Sequence, residues 1–147
     1  MPDRFLLTTL LGREFVQTPR HLEHMLGHLP ALDELCRSLG VSRISEFVDI
    51  SLLELDEAAS LLEQPPVQAE TDPETGMVLA IEDLAWHPAA LGMASLEACA
   101  QHLARGSSSL IDQADVPGLL EELHLCLSQL QPLEAQGGQF HFSVRNR

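Results

Sequence analysis

Histidine and cysteine are the side chains of this sequence best suited to chemistry. His21, His24 and His28 recur at spacings of three and four, which on a helix lines three imidazoles along one face. Neutral imidazole is a common ligand of zinc and other transition metals, and Glu23 or a remote carboxylate would assist. The same imidazoles would also serve as a proton sensor, gaining charge on acidification and relieving part of a negative surface. Two observations weigh against both roles. The trio lies one step round from the apolar stripe of its segment, where half-buried polar residues border a core. At about 1.5 Å of rise per residue, His21 and His28 also stand about 10 Å apart and do not easily share one ion. The reading preferred here is a structural boundary without a cofactor, with metal binding or metal sensing at His21, His24 and His28 as the alternative.

Other constellations are weaker. Cys99 and His102 form a C-x-x-H, and His124 and Cys126 lie on a second helical segment. Two residues apart on a helix, His124 and Cys126 point in nearly opposite directions and do not converge on an ion. Glu121 and His124 make one E-x-x-H, whereas a di-iron bundle needs two plus further carboxylates. There is no G-x-S-x-G elbow, and Ser107 to Ser109 have no adjacent base. Neither a Walker A loop nor G-x-G-x-x-G occurs, which removes the usual phosphate cradles. The three cysteines, Cys36, Cys99 and Cys126, contain no C-x-x-C and fall at apolar positions of helical patterns. Buried, reduced thiols in a reducing, cytoplasmic compartment are expected. The balance leans away from an enzyme. A small-molecule enzyme stays as an alternative, because a site assembled from distant residues leaves no local signature.

Two surface features suit recognition rather than catalysis. Trp86-His87-Pro88 marks a bend where Trp86 either caps the core or anchors an interface, and the core cap is preferred. Residues 63–76 (EQPPVQAETDPETG) combine three Pro with four carboxylates and have almost nothing to bury. They read as a mobile acidic loop, in which Asp72 and Glu74 would face a partner.

The elements that must position these residues follow from periodicity. Residues 4–17 read as a strand, a Gly12-Arg13 turn and a short return strand, with an amphipathic helix as the competing reading. Thr18-Pro19 has the chemistry of a helix start. An apolar stripe runs from Leu22 through Met25, Leu29, Leu32 and Cys36 to Leu39 and stops at Gly40. Pro30 and Gly27-His28 divide that stripe into two short helices on one packing face. Ser42 caps a brief turn presenting Ile44, Phe47 and Val48, and Ser51 to Glu54 reads as a capping box. The helix it opens would bury Leu52, Leu55, Ala59 and Leu62. Met77 to Ile81 suggests a short strand, Met93 to Arg105 a helix, and Pro117 the start of the longest helix, ended by Gly137-Gly138. Residues 139–144 (QFHFSV) alternate apolar and polar, the clearest strand in the chain. The expected fold is α+β and predominantly helical: about five helices and a small antiparallel sheet that includes the C-terminal strand, in one domain over residues 1–147.

Trp86-His87-Pro88, Leu91-Gly92-Met93, the two Leu-rich helices and the terminal Gly138-Gln139-Phe140-His141-Phe142 together resemble a group of uncharacterised bacterial proteins. The first half contributes Leu32 to Cys36 and Ile44 to Phe47, so the resemblance spans residues 30–62 and 84–144. This chain has Gly92-Met93 where the group has Gly followed by Leu. The resemblance implies a helical fold with a small sheet and no activity.

Composition bounds the function. The core must be built from Leu and Ala, since aromatics amount to one Trp and five Phe. Twenty-two carboxylates face eight Arg and no Lys, a net charge of −14. Such a field repels nucleic acid and anionic membrane surfaces. It favours solubility and rapid encounter with a basic protein. The apolar run Phe5–Leu11 follows Asp3 and precedes no cleavage site, so export by a signal peptide is not expected, and no apolar run approaches a membrane span. The function expected is a non-catalytic cytoplasmic interaction or accessory protein, immunity-like or inhibitor-like, that presents an acidic surface to a basic partner. Oligomeric state is not encoded in any feature of the sequence.

Overall fold

The computed structural model describes residues 4–61, 71–106 and 109–146. Its first element is the hairpin of β1 (Arg4–Leu11) and β2 (Glu14–Gln17), paired antiparallel with Leu11 opposite Glu14. Gly12 turns the corner at φ +61°, the left-handed region that glycine enters without a Cβ penalty. The strand reading of residues 4–17 holds. Phe5 to Leu10 are all buried, so β1 shows a nearly continuous run rather than a clean alternation.

The chain ends in β5 (Gln139–Arg145), which lies antiparallel to β1 with Thr8 opposite His141 and Leu6 opposite Ser143. Its other edge takes two short strands, β3 (Val48–Asp49) parallel and β4 (His87–Pro88) antiparallel. The strand order is β2-β1-β5-β3, with β4 beside β3 on β5.

Five helices complete the described residues: α1 (Glu23–Gly27), α2 (Leu29–Leu39), α3 (Ser51–Leu61), α4 (Ala89–Ala104) and α5 (Val116–Ala135). The fold is therefore α+β and predominantly helical, with a small sheet that includes the C-terminal strand, as its periodicity predicts. The main core joins Phe5, Leu7, Phe140, Phe142 and Val144 of the sheet to apolar residues of α1, α2, α4 and α5. Leu119, Leu123, Cys126 and Leu130 of α5 are all fully buried, in keeping with a central helix.

Several local expectations give way to tertiary contacts. The helix expected from Thr18-Pro19 starts only at Glu23. Residues 18–22 instead run along the edge of β1, where Thr18 N–H donates to the Leu7 carbonyl at 2.9 Å and Leu22 N–H to Phe5 at 2.8 Å. A strand edge offers both backbone partners at once, and it outcompetes a single cap. The Gly27-His28 break does divide α1 from α2, with Pro30 in the first turn of α2. Ser51 does not cap α3. It is already helical, and Asp49 Oδ1 accepts its N–H at 2.8 Å. Met77 to Ala80 form no strand: the chain bends there and enters a 3-10 turn at Ile81–Asp83. Helix α4 begins at Ala89 rather than Met93, because the Ala89 N–H is already fixed by the Gly138 carbonyl at 3.1 Å. Leu62, residues 63–70 of the acidic segment, and Ser107 and Ser108 lie outside the described residues.

Helix α4 crosses β5 at Gly92. A Cβ there would stand 2.2 Å from Cζ of Phe140, a fully buried ring. Overpacking of that kind typically costs 1–3 kcal/mol, more when the obstacle is a rigid ring. Gly92→Ala is expected to lower unfolding stability by about 3 kcal/mol in urea titrations. At Gly27, where nothing lies within 4 Å of the same position, Gly27→Ala should be neutral or stabilising by up to about 1 kcal/mol.

Candidate functional site

The three histidines expected on one helical face have three different backbone settings. His21 lies in the extended segment before α1, and its Nδ1 accepts the Phe5 N–H at 3.0 Å. With the Leu22 bond to the Phe5 carbonyl, it completes the edge of β1 beyond the end of β2. His24 is in α1, its ring against Gly118 of α5, where a Cβ would come within 2.5 Å of Nε2. His28 sits at the break between α1 and α2, with Nε2 3.3 Å from Asp115 Oδ2. The trio thus seams β1, α1 and α2 to the start of α5. No group of three or more His, Cys, Asp or Glu among the described residues is placed to hold a metal ion.

One buried carboxylate in this region had no sequence signal. Glu122 of α5 is fully buried and accepts the backbone N–H groups of His24 at 3.1 Å and Met25 at 2.8 Å. It supplies the N-terminal cap that Thr18 was expected to give, from nearly a hundred residues away. A side-chain carboxyl whose two oxygens each accept a backbone N–H at a helix N-terminus is an arrangement that tolerates burial.

The C-x-x-H and His124/Cys126 residues separate. Cys99 faces Cys36 of α2, His102 is half-buried, His124 is exposed and Cys126 is fully buried. Burial pushes the Cys126 thiol up to about 12, and the Glu122 carboxylate adds to the rise. His124 instead helps to line a shallow groove of about 370 Å³ between α4 and α5, together with Glu97, Ala100, Gln101, Ala104 and Leu127.

The second face of the sheet holds a polar ladder. Alternation puts Phe140, Phe142 and Val144 toward the main core and His141 and Ser143 on the opposite face, with Leu6, Thr8 and Leu10 of β1 and Asp49 of β3. Thr8 Oγ1 and Ser143 Oγ share a hydrogen bond of 2.8 Å, and Ser143 Oγ lies 2.8 Å from His141 Nε2. Gln17 Nε2 reaches Thr8 Oγ1 at 3.3 Å. Periodicity alone reads His141 and Ser143 as the solvent side of a strand. In the fold they are 1 % exposed. The overlooked signal is that Leu6 and Leu10 share their face.

The cover over this face is made by α3 and residues 71–86. Leu52, Ile81 and Leu84 are buried there, outside the main core. Trp86 lays its indole 4.5 Å from the His141 ring, meets Phe15 edge-on at 6.0 Å, and donates its Nε1–H to the Ile81 carbonyl at 2.9 Å. His87 points to the other side, against Phe47 at 5.3 Å. Asp72 closes an Asx turn by accepting the Glu74 N–H at 2.8 Å and the Thr75 N–H at 3.2 Å. Glu74 and Glu82 are both bound by Arg13 of the hairpin, whose guanidinium holds their carboxyls below the usual range. Arg145 of β5 pairs with Asp56 of α3 at 3.0 Å. Asp49 fastens the cover from below: Oδ1 accepts from Ser51 and Oδ2 from the Ala85 N–H at 2.6 Å. Of the residues the sequence offers for recognition, Trp86, His87 and Asp72 are half-buried in the fold, while Glu74 is exposed.

Comparison with family models, with curated proteins and with solved structures returns no match.

Burial drives the His141 imidazole down to about 4, outweighing the opposite pull of Asp49. The folded chain thus binds this proton less readily than the unfolded chain, whose histidine titrates near 6.5. The stabilisation is fully present above pH 6.5 and is lost as pH falls toward 4, by about 3 kcal/mol. His141→Gln, which keeps a hydrogen-bonding group but no longer titrates, should flatten the pH dependence of unfolding in this window by one proton. Equal slopes for the two proteins would contradict the assignment.

Proposed function

We propose that this chain is a non-catalytic interaction or accessory protein, cytoplasmic and immunity-like or inhibitor-like, that receives a basic partner protein on the acidic cover of its sheet. The observation that carries this reading is the distribution of charge. Between Arg43 and Arg105 there is no Arg or Lys, while twelve of the twenty-two carboxylates fall in that interval. Those of the cover include the exposed Glu54, Glu57, Glu74, Glu82 and Asp83. Among the described residues, Arg13 of the hairpin turn and Arg145 of β5 reach this layer, and both are engaged in ion pairs. The outward surface keeps an unbalanced negative field, which accelerates encounter with a positive patch and rejects nucleic acid. In support, no helix among the described residues is long and apolar enough to cross a membrane.

Crosslinking capture followed by titration of the purified partner tests the reading. The partner should carry a basic patch, and affinity should fall at least about tenfold between low and high salt. The double variant Glu54→Arg, Glu57→Arg should slow association while leaving the unfolding midpoint nearly unchanged. A neutral or acidic partner, or an affinity indifferent to salt, would sink the proposal.

A further inference from the structure

Cys36 and Cys99 are 63 positions apart in sequence and carry no shared motif, yet their sulfurs stand 3.4 Å apart where α2 meets α4. Both are fully buried and neither is in a disulfide. Among the described residues this is the one contact within hydrogen-bonding distance between cysteine sulfurs. We propose that Cys36 and Cys99 form an oxidisable dithiol, which a hydroperoxide converts reversibly into a disulfide tying α2 to α4.

The two thiols are not equivalent, and the difference sets the order of steps. Either sulfur can donate in the hydrogen bond they share; accepting from Cys99 lowers the Cys36 thiol from its ordinary value, and a backbone hydrogen bond at Ile44 adds to this against the opposing effects of burial, Asp33 and Glu46. Cys99 is raised by the same hydrogen bond and by its own burial. The chemistry is the same from either sulfur and begins, on the side held lower, at Cys36. The Cys36 thiolate attacks the distal oxygen of the hydroperoxide, the O–O bond breaks, and Cys36 becomes a sulfenic acid while the peroxide leaves as water or an alcohol. Cys99 then loses its proton and attacks the Cys36 sulfur, the S–O bond breaks, and hydroxide departs with that proton as water. Two thiols are oxidised and one peroxide is reduced. A small-molecule dithiol reverses the reaction by exchange. Cys126, buried on α5 beside Glu122, serves as an internal control.

The test treats the reduced, folded full chain with hydrogen peroxide, alkylates the remaining thiols in denaturant and maps the peptides by mass spectrometry. The expected product is one Cys36–Cys99 crosslinked peptide, lighter by two hydrogens, with Cys126 alkylated and the crosslink reversed by dithiothreitol. Cys126→Ser should retain it, and Cys36→Ser and Cys99→Ser should each abolish it. Since a serine at any of these three buried positions destabilises the fold, the wild-type peptide map, in which Cys126 must stay alkylated, decides by itself. Three alkylatable thiols after peroxide, oxidation that stops at sulfinic acid, a crosslink through Cys126, or one that forms as fast in the unfolded chain would each overturn the proposal.

Discussion

The last strand of the chain, β5, is the constraint on which the other elements depend. It is hydrogen-bonded on both edges, to β1 on one side and to β3 and β4 on the other, and is buried on both faces. One face carries Phe140, Phe142 and Val144 into the helical core, and the other carries His141 and Ser143 beneath the acidic cover. The Thr8–Ser143 bond links positions 135 residues apart, so the sheet forms only after nearly the whole chain is available. Non-local pairing of this kind carries loop-closure entropy and slows folding. The crossing of α4 at Gly92 follows from the same strand, since only a residue without a side chain lets a helix backbone approach the Phe140 ring this closely.

Burial on the second face explains how a layer of uniformly negative charge stays attached to the protein. Exposed ion pairs contribute about 0–1 kcal/mol each, so the pairs made by Arg13 do not hold it alone. Burying an apolar side chain of the size of Leu52, Ile81 or Leu84 contributes about 1.5–3 kcal/mol, and the indole of Trp86 adds further area. Apolar contact holds the cover on. The arginines and Asp49 add specific anchor points between the cover and the sheet.

Several polar groups sealed inside the fold are arranged by elements distant in sequence. Glu122 caps a helix that follows it in space and precedes it in the chain. Thr8 Oγ1, Ser143 Oγ and His141 Nε2 form one chain of hydrogen bonds across two strands, while the buried His141 Nδ1 has no partner among the described residues. The Cys36 and Cys99 thiols meet because α2 and α4 pack together. Each would be costly if left unpaired, which makes these contacts as specific as the apolar packing around them.

The sequence by itself determined the fold class, the hairpin at Gly12-Arg13, the division of α1 from α2 at Gly27-His28, the long helix from Pro117 and the strand at 139–144. These rest on periodicity and on Gly and Pro chemistry, which act over a few residues. It also determined the excess of negative charge, which is a sum over residues. What only the tertiary structure decided is which local signals survive and which side chains meet. Thr18-Pro19 lost its helix to the edge of β1, Ser51 lost its cap to Asp49, and the three histidines were dispersed over three backbone settings. His141 and Ser143 became interior, and the acidic residues of the cover came to lie over them on one side of the sheet. The physical reason is common to all of these: a hydrogen-bond partner or a covering layer supplied from dozens of residues away has no period in the sequence, yet inside a dry core it decides where each polar group must go.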